Sequence, residues 1–336
     1  MTETRTILVG IYSRRYPAWN IPAGNVDWLR QTFPQHTFLH ARNEDEALQL
    51  IDSAEIAFTA ELGPKLLHAA PHLRWVHSPA AGLGGMLFPA MIESAITLTN
   101  SRGLSADTIA EHVLSVILAI FRKLPRAFES QRAREWAQSE LTAGAPLQTV
   151  AGSRVLIVGL GAIGTATAER LASLSARVDA VRRRADSPRP SYIERVVSPD
   201  HLDDLLPSAD VVVLAAPQTA KTRHLIGHRQ LRTMRRGSLL VNVSRGALVD
   251  EAALIDALSA PPSEQTLAAA ALDVFEHEPL PVDSPLWTLP NVLITPHVAG
   301  FRPDHWEAVT ALFADNLRRF EAGQALLNVV DKREGY

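Results

Sequence analysis

The chain has 336 residues, 46% of them hydrophobic and 21% charged, and its 33 Lys+Arg against 36 Asp+Glu leave a net charge of −3. That length exceeds one comfortable core and points to two domains, and the charge balance leaves no electrostatic footprint for nucleic acid. The absence of cysteine excludes disulfides, thiolate metal sites and a cysteine nucleophile, and no metal site is expected.

The N-terminal stretch "MTETRTILVGIY" has no charged-then-apolar signal segment, and the apolar run "VLSVILAIF" (113–121) is too short to span a bilayer. A cytoplasmic location without a membrane partner is the expectation. From there short β-branched runs alternate with amphipathic stretches. "TILVGIY" reads as a strand, "NEDEALQLIDSA" as a helix, "EIAFTA" as a strand, "PKLLHAAP" as a helix, and "LRWVHS" and "AITLTN" as strands. The longest helical pattern follows in "NSRGLSADTIAEHVLSVILAIFRKLPRAFESQRAREW", where Pro125 breaks it into two helices. It marks the seam between domains.

The alternation then resumes with "RVLIVG", "TATAERLASLS" and "RVDAV", and continues through "DVVVLAA", "SLLVNVS", "EAALIDALS" and "TLAAAALDVF". A last helical stretch, "PDHWEAVTALFADNLRRFEAG", occupies 303–323. Strands alternating with helices argue for parallel sheets covered on both faces. Two such series predict two doubly wound α/β domains.

"VLIVGLGAIGTATAERL" sets Gly159, Gly161 and Gly164 in G-x-G-x-x-G spacing between a β-branched strand and an alanine-rich helix, the context that a dinucleotide site requires. In that reading Gly159 allows the tight turn, Gly161 lets the backbone approach a pyrophosphate, and Gly164 lets helix and sheet pack closely. The amides of Ala162 and Ile163 would face the phosphates. The next strand ends in Arg182, Arg183 and Arg184, where an NAD site usually carries an acidic residue for the ribose 2′-OH. Guanidinium groups bind a 2′-phosphate, so NADP(H) is expected as the preferred cofactor, with NAD(H) as the other possibility. A solvated basic loop would look the same. Asp179 lies too early in its strand for the ribose.

Two further polar residues stand after apolar strands: Arg245 in "LLVNVSRGALVDE" and His297 in "NVLITPHVAG". Ligands of open α/β sheets bind at that edge, although an arginine there also suits a capped carbonyl and a histidine there also suits a structural role. Together, "NVSRGALVDE", "ALDVFEHEPLPVDSPLWTLPNVLITPH" and the glycine fingerprint resemble the D-isomer-specific 2-hydroxyacid dehydrogenase family. The resemblance runs from about "RWVHSPAAGLGG" to His297 and includes "IAEHVLSVILAIFRKLP" as the family's linking helix.

The resemblance implies a Rossmann cofactor domain at 101–300 inserted in a flavodoxin-like substrate domain formed by 1–100 and 301–336. It puts the family's catalytic arginine on Arg245, its glutamate on Glu278 and its histidine on His297, with Glu276 and His277 as bystanders. Asp273 matches the aspartate that contacts the nicotinamide carboxamide. Pro217, Thr222, Val243 and Ser244 fall in cofactor-contact segments, Ser244 standing where the family often has alanine. The amides near Ala81, Gly82 and Leu83 would hold the substrate carboxylate, although an ordinary strand–helix turn has the same residues. Trp136, His305 and Trp306 are further candidates for lining the cleft. Domain closure and a homodimer built on the cofactor domain are implied as well.

The chemistry follows from the residue types. Arg245 can fork onto the carboxylate of a 2-keto acid and polarise its carbonyl. As hydride arrives at the ketone carbon, a protonated His297 can donate to the oxygen. An ordinary imidazole is mostly neutral near pH 7, and a carboxylate on its far nitrogen, the role given to Glu278, favours the imidazolium. Formate dehydrogenases resemble this pattern but carry Gln at the Glu278 position, which argues against that activity. Reduction of a small 2-keto acid such as glyoxylate or hydroxypyruvate is the expected function. The alternative is a non-catalytic dinucleotide-sensing protein, because the same family includes corepressors that keep the catalytic residues.

Overall fold

The computed structural model describes residues 3–13, 16–143, 146–261 and 265–335. The chain divides into two compact units, Met1–Leu104 with Arg302–Tyr336, and Ser105–Phe301. Among the described residues no helix is long and apolar enough to cross a membrane.

The smaller unit contains strands β1 (Thr6–Gly10), β2 (Thr37–His40), β3 (Ile56–Thr59), β4 (Trp75–Ser78) and β5 (Thr97–Asn100). They form one parallel sheet in the order β2-β1-β3-β4-β5, which is the flavodoxin-like order. Helices α1 (Ala23–Thr32), α2 (Glu44–Leu50), α3 (Pro64–His68) and α4 (Pro89–Glu93) connect them. Alternation along the strands feeds two cores. Ile7, Val9, Ile56, Phe58 and Trp75 pack with Val309, Phe313 and Leu317 of the C-terminal helix His305–Glu321. Leu8, Ala57, Val76 and Leu98 pack on the other face with Ile51, Leu66 and Met91. Covering both faces is what makes these strands read as near-continuous apolar runs.

In the larger unit, helices α5 (Ala106–Phe121), α6 (Leu124–Ala133) and α7 (Gln138–Thr142) precede β6 (Arg154–Val158), α8 (Ala162–Ser173), β7 (Arg177–Val181) and β8 (Ile193–Val197). Pro125 sits in the first turn of α6, where its missing N–H costs no helix bond. After the short helix α9 (Leu202–Leu205) come β9 (Val211–Leu214), α10 (His228–Thr233), β10 (Ser238–Asn242), α11 (Glu251–Ser259), β11 (Leu267–Leu272) and β12 (Val292–Ile294). The seven parallel strands run β12-β11-β10-β9-β6-β7-β8. The order reverses between β6 and β9, the switch point of a Rossmann sheet. Both expected doubly wound sheets are therefore present.

Two strands, β2 and β8, and five helices, α1, α4, α7, α9 and α10, go beyond the sequence reading. Both strands are sheet edges. β8 exposes Glu194 and Arg195, and charge on an edge strand blocks further pairing while erasing the apolar signature that marks a buried strand.

Candidate active site

Two of the three glycines in the turn have no room for a side chain. Gly159 has φ +106°, and a Cβ there would lie 2.5 Å from the Ala216 nitrogen. A Cβ on Gly164 would lie 2.0 Å from the Gly159 carbonyl oxygen. Gly161 has nothing within 4 Å of its Cβ position and caps an exposed start of α8, with Ala162 also exposed. A helix N-terminus opening onto space at the sheet's switch point suits a pyrophosphate, and the residues present fit a dinucleotide.

At the end of β7 the three arginines divide. The Arg182 guanidinium turns into its own loop, where Nη2 donates to the Ser187 and Pro188 carbonyls while its buried Nε finds no acceptor among the described residues. Arg183 and Arg184 are exposed and border an open cavity of about 630 Å³ together with Ser187, Val197, Ser198 and His201. Asp179 is buried between Arg154 (2.8 Å) and Arg195 (2.7 Å). Burial works to raise its carboxyl, but the bonds from Arg195 and Arg154 hold it below the usual carboxylate range.

The loops after β9 and β10 are tied together. The Thr222 hydroxyl donates to the Pro217 carbonyl at 2.7 Å, and the Ser244 hydroxyl donates to the Ala216 carbonyl. The Val243 side chain is buried in the core, so only its backbone could face a ligand. Asn242 shapes the turn that presents Arg245: its side-chain nitrogen donates to the Arg245 carbonyl (3.0 Å) and its oxygen accepts from the Ser244 amide (3.2 Å). Burial pushes the Arg245 guanidinium down, and the charge of Glu278 opposes that shift. The adjacent Gly246 lies against the backbone of the next loop, since a Cβ there would fall 1.8 Å from the Phe275 carbonyl carbon.

That loop and the turn after β12 bring Glu278 and His297 together. Glu278 Oε1 accepts the Phe275 amide (3.0 Å), and Oε2 lies 2.6 Å from Nδ1 of His297. Burial favours the neutral acid. The bond to His297, the Phe275 amide and the charges of His297 and Arg245 outweigh it and keep Glu278 below the usual carboxylate range. His297 has φ +54°, a left-handed backbone that costs a non-glycine residue about 1–3 kcal/mol and clusters at functional sites. Arg245, Glu278 and His297 are thus brought together at the carboxyl edge of one sheet. Nδ1 faces Glu278, which leaves Nε2 for a reacting group.

Asp273 is the hub of the His297 turn. Its Oδ1 accepts from the Thr295 hydroxyl (2.6 Å) and the Val298 amide (2.9 Å), its Oδ2 accepts from the Ala299 amide (3.0 Å), and its carbonyl accepts the His297 amide (2.8 Å). Two participants were missed in the sequence. His112 of α5 places Nε2 3.2 Å from the Thr295 hydroxyl, and Glu276, read as a bystander, contacts His224 through its carboxylate while its amide donates to Glu251. The "AEH" run of the linking helix was the only available signal for His112. His277 is exposed.

In the smaller unit the turn after β4 is braced by neutral groups. Asn100 donates to the Ala81 carbonyl at 2.7 Å, the Ser101 amide donates to the Ala80 carbonyl at 3.2 Å, and the Ser101 hydroxyl donates to the Ser78 carbonyl at 3.0 Å. Ala81 is exposed, Gly82 half-buried and the Leu83 side chain buried. His305 packs edge-on against Trp306 and Trp19 of the same unit, whereas Trp136 of the larger unit is 90% exposed. Among the described residues no group of His, Asp and Glu could hold a metal.

Comparison with known proteins follows the same lines. Residues 114–299 match the family model described as D-isomer specific 2-hydroxyacid dehydrogenase, NAD binding domain. A glyoxylate reductase of Korarchaeum cryptofilum is 33% identical over 294 residues, covering 85% of each chain. A glyoxylate/hydroxypyruvate reductase B of Serratia proteamaculans is 32% identical over 319 residues, covering 93% of this chain and 95% of the relative. Among solved structures, a D-isomer specific 2-hydroxyacid dehydrogenase of Xanthobacter autotrophicus, in complex with NADPH and MES, is 30% identical with a TM-score of 0.81 over 99% of both chains.

Proposed function

Because the chain belongs to the D-isomer-specific 2-hydroxyacid dehydrogenase family, we propose that it is a cytoplasmic, homodimeric, NADP(H)-preferring reductase of a small 2-keto acid, with glyoxylate or hydroxypyruvate as the substrate class. The observation that carries the reading is the 2.6 Å His297–Glu278 pair beside Arg245 at the carboxyl edge of the Rossmann sheet. The names of the relatives support the substrate class, and the NADPH complex of the Xanthobacter enzyme supports the cofactor.

In this mechanism Arg245 forks onto the substrate carboxylate and draws electron density from the adjacent ketone. The nicotinamide, when bound, supplies the hydride. His297 donates its Nε2 proton to the ketone oxygen as charge develops there, and in the oxidative direction it takes the proton back. Glu278 keeps the ring oriented and stabilises its charged form. Gly159, Gly161, Gly164 and the first amides of α8 hold the pyrophosphate. Arg183, with Arg184 beside it, is assigned to the 2′-phosphate, while Arg182 shapes the loop that carries them. Asp273 contributes by fixing the His297 turn as well as through the carboxamide contact given to it by resemblance. The Ala81–Leu83 turn is assigned a carboxylate contact of its own. The homodimer is supported by the exposed Leu118, Leu124 and Phe128 of α5 and α6, with Trp136 just beyond, an apolar set of the kind that marks protein interfaces.

The test is oxidation of NADPH and of NADH at 340 nm with glyoxylate, hydroxypyruvate, pyruvate and phenylpyruvate. Turnover that favours NADPH and falls about 10³-fold in His297→Ala is expected. Arg183→Ala should raise KM for NADPH about tenfold or more and leave KM for NADH nearly unchanged. A preference for NADH would refute the arginine assignment alone. Tight NADPH binding without turnover across the panel would refute the enzyme reading in favour of a dinucleotide-sensing protein.

A further inference from the structure

The loop that carries Glu278 is gripped from outside the catalytic trio. Glu276 meets Nε2 of His224 through its carboxylate, and its amide donates to Glu251 at the start of α11. His224 is held in place at both ends of its own segment. Its backbone has φ +51°, its amide donates to the Ala247 carbonyl at 2.7 Å, and the Ile226 amide donates to the Leu248 carbonyl at 3.0 Å. A left-handed histidine persists only where its surroundings over-determine it. Here those surroundings are the residues that follow Arg245 and Gly246.

The arrangement answers an electrostatic problem. Glu251, Glu276 and Glu278 crowd one short stretch, and burial together with the neighbouring charges of Glu276 and Glu278 raises the Glu251 carboxyl. Like charges so placed would swing the loop outward. Phe275 has no lateral slack, because its backbone rests on Gly246, and it is the Phe275 amide that aims Oε1 of Glu278. Rotation about the next residue, Glu276, is therefore the motion that would pull Glu278 from His297. His224 and Glu251 block it from two sides.

We propose that His224, Glu276 and Glu251 are positioning residues, a clamp that sets Glu278 against His297 and joins the segment after β9, which carries Pro217 and Thr222, to the catalytic loop. The proposal rests on the reductase reading for its kinetic consequence but not for its geometry. The titratable groups facing the clamp are His277 and Glu278, and Glu278 in turn faces Arg245 and His297.

The experiment compares Glu276→Ala, Glu276→Gln and His224→Asn with wild type. Asparagine tolerates the left-handed backbone while withdrawing the imidazole, and glutamine keeps an acceptor for His224. Two readouts are taken: the pH profile of kcat/KM for glyoxylate reduction, and the ring ¹⁵N resonances of His297 in the cofactor-free protein at fixed pH, assigned by their loss in His297→Gln. In Glu276→Ala and His224→Asn kcat/KM should fall about tenfold or more across the profile, since a displaced Glu278 no longer orients the His297 ring. The His297 resonances should move as well, and Glu276→Gln should restore both. A folded Glu276→Ala or His224→Asn protein with unmoved His297 resonances and a wild-type profile overturns the clamp. If one variant fails to fold, the other decides. Moved resonances in the variants, with a wild-type protein that reduces no keto acid, would uphold the clamp and refute the reductase reading; wild-type turnover with unmoved resonances in the variants would do the reverse.

Discussion

The carboxyl edges of the two sheets are braced by different chemistry. In the larger unit carboxylates do the bracing: Asp273 collects three donors from the turn around His297, and Glu278 collects two. In the smaller unit the turn after β4 hangs on neutral amide and hydroxyl groups, with the imidazole of His77 buried beneath it. Charged acceptors make stronger hydrogen bonds than neutral ones and suit a turn that must hold a strained histidine. Neutral groups leave the second turn without a field of its own, which suits the proposed presentation of its backbone amides to an anion.

The sharpest way to break the charged brace is Asp273→Ala. It strands the Val298 and Ala299 amides and the Thr295 hydroxyl, and each donor left unsatisfied in a buried place costs about 1–3 kcal/mol. A loss of about 3 kcal/mol in urea unfolding is expected. Displacement of His297 by as little as an ångström should lower kcat/KM for the keto acid about 100-fold. Activity within about threefold of wild type would show that the His297 turn stands without its hub.

The same comparison explains what was legible in the sequence. The glycine turn announces itself by its spacing, and Arg245 and His297 stand just after apolar strands, but their roles, and that of Glu278 in the loop after β11, came from the family resemblance; the two sheets follow from the alternation alone. The braces have no such signature. His112 and Thr295 are 183 residues apart and meet only once the sheet is built. Glu276 looks like its solvent-exposed neighbour His277 until His224 arrives from another loop. Arg182 and Arg183 are adjacent and identical in type, and only the fold sends one into its own loop and leaves the other exposed. Edge strands β2 and β8 were hidden for a related reason, because half their faces are not core.

Acid should distinguish the braces in an unexpected order. Burial pushes His77 down to about 3 from an ordinary value of 6.5. Nδ1 lies 2.7 Å from the Thr99 hydroxyl and Nε2 3.3 Å from that of Ser101, an arrangement satisfied by a neutral ring with its proton on Nε2. Below pH 6.5 the unfolded chain takes up this proton and the folded one does not until about 3. Between those values His77 therefore lowers stability as pH falls, by about 1.4 kcal/mol per pH unit. Glu278 has the depressed-carboxylate sign: its contribution is present above the ordinary carboxylate value of 4.5 and disappears only below it. The neutral brace thus weakens first. Comparing urea unfolding at about pH 7 and pH 5, His77→Gln should lose about 2 kcal/mol less than wild type over that interval. An identical pH dependence in the two proteins would mean that His77 already titrates normally in the fold.

The smallest effect expected is also the most specific. Asn100 is buried, and its amide nitrogen is the single side-chain donor on the Ala81 carbonyl among the described residues. Asn100→Ala removes that bond without touching any group assigned to proton transfer, so the peptide plane between Ala81 and Gly82 gains freedom to rotate. Presentation of the neighbouring amides then suffers while the His297–Glu278 pair is undisturbed. A loss of one such bond is worth about 1.4 kcal/mol, or a tenfold rise in KM for the keto acid, with kcat within about twofold of wild type and the pH profile unmoved. Asn100→Asp provides the complementary sign: a carboxylate beside the same carbonyl would repel both it and an incoming anion, so its KM should rise further than that of the alanine variant. Were kcat rather than KM to fall in both, the turn after β4 would belong to the transition state, and the division between a charged catalytic edge and a neutral binding edge would fail.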